Sequence, residues 1–357
     1  MQASVWILPA TGAGDNQQLR CIADALGWPY VVKPGPDPLA RVVRDRLLPG
    51  RRLRMPADKR SVYTPPWPDV VLFSGGRSVV DARRIRAASG GQTRLVCVGR
   101  PWANLDHFDL VVTTPQYRLP AGANILENAL PLQPSLAPPS EALVAGWASR
   151  LADLPRPWLV ALVGGESGSY RFPAATGRRL GRELAAMVRR VGGAVLVSTS
   201  ARTPPASIDA LEAELDVPAF CYRWQANDAD NPLPAFLALA DRFLVTGDSA
   251  AMIADACGTG RPVAVFEPPQ RLHTRLLTRS WLGESPGPLG RRLRPLRDRL
   301  VASGLWIPAR DLGHYQRVLR ERGWIERSYW GAEPSSPRQP AEDSALDATV
   351  ARIKSLI

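Results

Sequence analysis

The stretch "VTGDSAAMIADACGTGRPVAVF", residues 245–266, decides the fold. Its order is an apolar strand, a small polar turn, a helix of small residues, a glycine-containing turn and a second apolar strand. In open α/β sheets ligands sit at the carboxyl ends of the strands, where a helix N-terminus offers unsatisfied N–H groups and the positive end of its dipole. Ser249, Ala250 and Ala251 open this helix with side chains too small to obstruct a phosphate, and Ser249 adds a hydroxyl. Asp248 is placed to cap the helix. Asp255 follows seven residues later, about two turns on, so the spacing puts it on the same face, in reach of a ribose diol. The plainer alternative is that Asp248 only caps and Asp255 is solvated.

Working outward, the same cycle fills the second half of the chain. "PWLVALVGGESGSYRF" (157–172) runs from a strand into a Gly-rich turn, and "AVLVSTS", "VPAFCY" and "RFLVTG" are further strands separated by helical patterns. The first half begins likewise, with "SVWILPA", the turn "TGAGDN" and the helix "NQQLRCIADALG", then "DVVLFSGG", "TRLVCVG" and "DLVVTTP". Such continuous β-branched runs suit parallel strands buried on both faces. "LPLQPSLAPP" (130–139), with four prolines in ten residues, is a stiff connector. These signals predict an N-terminal Rossmann-like domain over 1–133, a Pro-rich linker over 134–142 and a second Rossmann-like domain over 143–332 that ends in an Arg/Trp-rich helical extension. A polar linker over 333–344 and a terminal helix over 345–357 follow, the helix presenting Leu346, Val350, Ile353 and Ile357 on one face. The expected fold class is α/β, with two Rossmann-like doubly wound domains facing a cleft.

Composition narrows the function. The 357 residues are 45% apolar and 22% charged, which is globular. Cys21, Cys97, Cys221 and Cys257 are scattered singly and read as buried, reduced thiols. No basic N-terminal leader and no run of 18 apolar residues occurs, so a cytoplasmic location is expected. The net charge of +12 is concentrated over 41–60, with eight Lys/Arg against two Asp, and over 271–330, with thirteen Arg against five acids. That asymmetry suggests an anionic partner, and an arginine bias of the coding sequence is the competing origin. Trp306, Tyr315, Trp324, Tyr329 and Trp330 are interleaved with arginines in the second segment. They read as a packed helical subdomain, with nucleic-acid or membrane contact as the alternatives.

Three further strand-to-helix turns resemble the first. In "GGESGS" (164–169), Gly164 and Gly165 allow close backbone approach and Ser167 supplies a hydroxyl. "STSARTP" (198–204) offers Ser200 and Arg202, a guanidinium suited to a diphosphate. "TGAGDNQ" (11–17) is the corresponding first-domain loop and matches neither the dinucleotide fingerprint nor a Walker A loop. His107, His273 and His314 lie far apart in sequence, so neither a zinc site nor a Ser-His-Asp triad has support.

The succession "GAGDNQQ", "DVVLFSGGRSVVDARRIR", "FDLVVTTPQY", "ALVGGESGSYRF", "STSARTP" and "NPLPAFLALADRFLVTGDSAAMIADACGTGRPV" resembles the "elongated mitochondria" mitochondrial-fission family and its bacterial relatives. That family is in turn similar to GT-B glycosyltransferases and to UDP-GlcNAc 2-epimerases. The resemblance implies that Ser249 and the amides after it meet a diphosphate and that Asp255 takes the place of a ribose-binding Glu. It also marks departures: Ala201 stands where the family has Arg, and Leu233 where it has Tyr. In plants the family it resembles is associated with recruiting a dynamin-like protein to mitochondria, a role that does not require catalysis.

The expected function is a metal-independent transfer of a sugar from a nucleoside diphosphate to an acceptor, with no cofactor beyond the nucleotide-sugar donor. Asp15 is the candidate base, with Gln17 positioning the acceptor hydroxyl, and a helix-capping role for Asp15 competes. The basic segments would rest on an anionic membrane surface and present a lipid-linked or envelope acceptor, giving peripheral attachment at the inner face. A non-catalytic adaptor and a nucleotide-sugar 2-epimerase are the alternatives, and no nucleic-acid partner is expected.

Overall fold

The computed structural model of the chain describes residues 2–35, 53–132, 139–278, 288–326 and 342–357. Most of the predicted linkers at 134–142 and 333–344, and the basic residues 41–52, lie outside the described residues. The chain divides into two compact units. The first comprises the described parts of Met1–Ser135, Ser280–Ala309 and Glu342–Ile357, and the second those of Leu136–Arg279 and Arg310–Ala341.

In the first unit the elements are β1 (Val5–Leu8), α1 (Ala13–Leu26), β2 (Tyr30–Val32), β3 (Val70–Ser74), α2 (Val79–Ala88), β4 (Arg94–Val98), β5 (Leu110–Thr113) and β6 (Ile125–Glu127), joined by α9 (Pro288–Ala302) and α11 (Glu342–Lys354). The six strands form one parallel sheet in the order β2-β1-β3-β4-β5-β6. Successive strand residues point to opposite faces, and here both faces are core. Trp6, Leu8, Val71, Phe73, Leu95 and Cys97 enter one cluster with Phe108. Val5, Ile7, Val70, Leu72, Val96 and Val98 enter the other, with Leu19, Ile22 and Leu26 of α1. This is why the strands read as unbroken apolar runs instead of alternating ones.

The second unit contains α3 (Glu141–Arg150), β7 (Trp158–Leu162), α4 (Ala174–Val191), β8 (Ala194–Ser198), α5 (Pro205–Glu212), β9 (Ala219–Tyr222), α6 (Leu233–Leu239), β10 (Arg242–Thr246), α7 (Ala250–Gly258), β11 (Val263–Phe266), α8 (Leu272–Thr278) and α10 (Leu312–Glu321). Its five parallel strands are ordered β11-β10-β7-β8-β9. The α/β class read from the sequence is therefore present twice.

Two features of the C-terminal third differ from the sequence reading. The predicted extension is divided between the units: α10 packs in the second, whereas α9 belongs to the first. Val301 of α9 is buried, Ala302 packs on the cluster around Phe73, and Gly304, at φ 74°, sits so close to Ala103 that a Cβ would lie 2.4 Å from its carbonyl carbon. The terminal helix docks on the first unit through Leu346, Val350 and Ile353 as its spacing predicts, but Leu356 packs in place of Ile357, which is exposed. Helical geometry stops at Lys354, so the spacing of four that would bring Ile357 onto the stripe no longer applies. No disulfide joins the four cysteines; three are buried and Cys221 is half-buried. Burial, with Asp24 adding to it, pushes the Cys21 thiol up to about 11, and burial followed by Glu212 pushes Cys221 to about 12.

Candidate functional site

The chain leaves β7 toward β8 and β9 on one side and returns to place β10 on the other. The neighbours β7 and β10 thus feed connections that run in opposite directions, which makes the gap between their carboxyl ends the switch point of the sheet. Gly164 and Gly165 follow β7 there, and Gly247, Asp248 and Ser249 follow β10.

Ser249, not Asp248, caps α7: its Oγ accepts from the Met252 N–H at 3.3 Å. The first backbone bond of the helix runs from the Ile253 N–H to the Ser249 carbonyl at 3.2 Å, so the Ala250 and Ala251 amides precede it and have no partner within the helix. Ala250 is buried, while Ser249 and Ala251 are half-buried. A hydroxyl-capped helix start with small side chains is therefore present where the sequence reading placed it.

Asp248 does something different from capping. Its side chain is fully buried; Oδ2 accepts from the Gly165 N–H at 3.0 Å and pairs with Arg202 Nη2 at 2.9 Å, while Oδ1 is buried without a donor. Arg202 Nη1 also donates to the Glu166 carbonyl at 3.1 Å. One carboxylate thus ties together the turns after β7, β8 and β10. The guanidinium expected to meet a diphosphate is already paired, although its side chain is 41% exposed and presents further donors.

The glycines are explained by this closeness. A Cβ at Gly164 would lie 2.4 Å from both Asp248 carboxylate oxygens, and one at Gly165 would lie 2.0 Å from the Arg202 carbonyl oxygen. Ser200 donates from Oγ to the Gly164 carbonyl at 3.0 Å, and the Gly164 N–H donates to Thr246 Oγ1 at 2.7 Å. Ser167 is turned inward: its Oγ accepts from the Ser169 and Tyr170 amides at 3.3 and 3.1 Å. Of the predicted second-unit residues, Gly164, Gly165, Ser200, Arg202, Asp248, Ser249 and Ala250 converge. Asp255 lies along α7 beside α10; burial, then Cys257, raises the Tyr315 phenol well above its usual range, Arg310 opposes, and Asp255 adds to the rise.

Sequence reasoning missed several supports. Thr203 Oγ1 bonds the Val163 carbonyl at 3.1 Å, and Gln316, almost fully buried on α10, donates from Nε2 to the Gly247 carbonyl at 2.9 Å. Only the hydroxyl two residues beyond Ala201 hinted at the former, and nothing local hinted at the latter. Asp228-Ala229-Asp230 is a D-x-D triplet that the metal-free expectation passed over. Asp228 Oδ2 accepts from the Tyr222 hydroxyl at 2.6 Å and Asp230 pairs with Arg150 at 2.6 Å, so both carboxylates already have local partners. Among the described residues no group of three or more His, Cys, Asp or Glu is arranged to hold a metal ion.

In the first unit, β1 and β3 are the corresponding switch-point strands. The β1 turn is clamped by Asn16, whose Oδ1 accepts from the Ala10 N–H at 2.7 Å and whose Nδ2 donates to the Ala10 carbonyl at 3.0 Å. Helix α1 starts at Ala13, three residues before the predicted start, so Asp15 stands in its first turn and Gly12 is the cap residue. Asp15 is half-buried and Gln17 exposed. Two residues apart on a helix, they project from different faces, which argues against the expectation that Gln17 positions the group Asp15 would deprotonate.

Parallel, doubly wound sheets with a small-residue helix start at the switch point define a Rossmann-like α/β protein. A family model for mitochondrial fission ELM1 matches residues 13–281, and the chain belongs to that family. The mitochondrial fission protein ELM1 of Arabidopsis thaliana is 26% identical over 301 residues, 75% of this chain and 68% of the relative. Among solved structures, MurG of Acinetobacter baumannii is similar over 99% of both chains at 12% identity and a TM-score of 0.46. The UDP-GlcNAc 2-epimerase of Methanocaldococcus jannaschii is similar over 99% of both chains at 11% identity and a TM-score of 0.49.

Proposed function

We propose that the second unit binds a nucleotide sugar through its diphosphate at the start of α7 and that the protein transfers the sugar to an acceptor hydroxyl. The observation that carries this reading is the Ser249-capped helix start at the β7/β10 switch point, with small residues in its first turn. Aligned amides and the helix dipole favour a phosphate anion there, and Arg202, at the rim, adds charge-assisted donors. A leaving diphosphate stabilised in this way develops its charge against fixed dipoles that need no reorganisation. Asp15, at the start of α1, is the proposed base for the acceptor hydroxyl.

A second reading, a non-catalytic adaptor, draws on the Arg202–Asp248 pair, which already satisfies part of the guanidinium. One experiment separates the two. Thermal-shift measurements on the full chain with UDP-, GDP-, ADP- and dTDP-sugars at millimolar concentration are expected to show stabilisation by one base. Once the acceptor is found, Asp15→Asn is expected to keep that shift and lose about 10²–10⁴ in kcat. No shift with any nucleotide sugar favours the adaptor.

A further inference from the structure

We infer that α9 is an interfacial helix that docks the protein on an anionic lipid surface. The helix is fastened to the first unit along one side only. Gly290, Arg297 and Val301 are its buried residues, spaced seven and four apart, and Arg297 Nη2 donates to the Arg118 carbonyl at 2.6 Å. The leucines follow a different stripe: Leu289, Leu293, Leu296 and Leu300 recur at four, three and four residues and share one face. That face is not packed away, since Leu289 is 68% and Leu296 49% exposed and the other two are half-buried.

Charge decides what covers it. The helix carries five arginines and one acid, and that acid, Asp298, pairs at 2.7 Å with the buried Arg297. Arg291, Arg292, Arg294 and Arg299 are all exposed, and among the described residues none of them is ion-paired. By helical angle Arg292 and Arg299 border the leucine stripe on the side away from the docked face. Leucines flanked by cations are the arrangement of a helix lying in a headgroup layer, with the apolar stripe sunk and the guanidinium groups reaching phosphates. A second copy of this face would set cation against cation. The inference is independent of the nucleotide-sugar reading.

The test is co-sedimentation of the full chain with vesicles of phosphatidylcholine alone or mixed with phosphatidylglycerol, at low and high salt. The expected result is at least tenfold stronger partitioning into the phosphatidylglycerol vesicles, lost at high salt. Leu289→Glu with Leu296→Glu, and separately Arg292→Gln with Arg299→Gln, are each expected to lower it at least tenfold with an unchanged melting temperature. The response to nucleotide sugar should be unaffected in both. Equal partitioning into neutral vesicles overturns the inference. So does full binding by either double variant, or a leucine-dependent dimer in sedimentation velocity without lipid binding.

Discussion

Gly165→Ala is expected to destabilise the chain by about 2–3 kcal/mol and to erase its thermal response to nucleotide sugar. The added methyl would lie 2.0 Å from the Arg202 carbonyl oxygen, 2.3 Å from its carbon and 2.7 Å from the Thr203 nitrogen. All three are backbone atoms, so no side chain can swing aside. The turn after β8 must retreat, and with it the Arg202 guanidinium and its bond to Asp248 at 2.9 Å. Gly168, three residues on in the same loop, has nothing within 4 Å of its virtual Cβ. Gly168→Ala is therefore the internal control, expected within about 0.5 kcal/mol of the parent. Urea unfolding of both variants checks the contrast; equal stabilities would show that the turns are not as closely packed as described.

Asp81→Ala is expected to cost about 3–5 kcal/mol, the range for breaking a buried ion pair by removing one partner. Asp81 is 1% exposed on α2 and lies between two cations: it pairs with Arg84, itself 3% exposed, at 3.0 Å, and with Lys59. The Tyr63 hydroxyl approaches the same carboxylate at 3.4 Å. Alanine withdraws the anion from among positive groups that burial already disfavours. Asp81→Asn keeps the shape and isolates the charge. Guanidinium melts of the two variants measure the effect, and a loss below about 1 kcal/mol, the scale of an exposed pair, would contradict the account.

The strands of both units were legible because parallel strands buried on both faces announce themselves as continuous apolar runs. The start of the helix after β10 was legible because a serine followed by small residues directly after a strand suits a capped helix N-terminus. Edge strands β2 and β6, three residues each, escaped reading because segments this short hold too few residues to show a period, and Val31 and Val32 of β2 are exposed. The division of the Arg/Trp-rich segment escaped for another reason. Local spacing shows that α9 and α10 are amphipathic, but which unit receives each depends on contacts such as Gly304 with Ala103 and Gln316 with Gly247, which join residues distant in sequence. Asp248 illustrates the same limit within the site. Asp before Ser at a helix start reads as a cap, yet the shorter hydroxyl takes the capping bond and frees the carboxylate for Gly165 and Arg202.

The proposed function requires that the first turn of α7 receive a diphosphate. Titration calorimetry of the full chain with the responding nucleotide sugar, comparing the parent with Ser249→Trp, measures whether it does. The indole would cover the helix start, and binding is expected to fall at least tenfold, which is about 1.4 kcal/mol. Undiminished affinity in the variant would contradict the placement of the diphosphate at this turn.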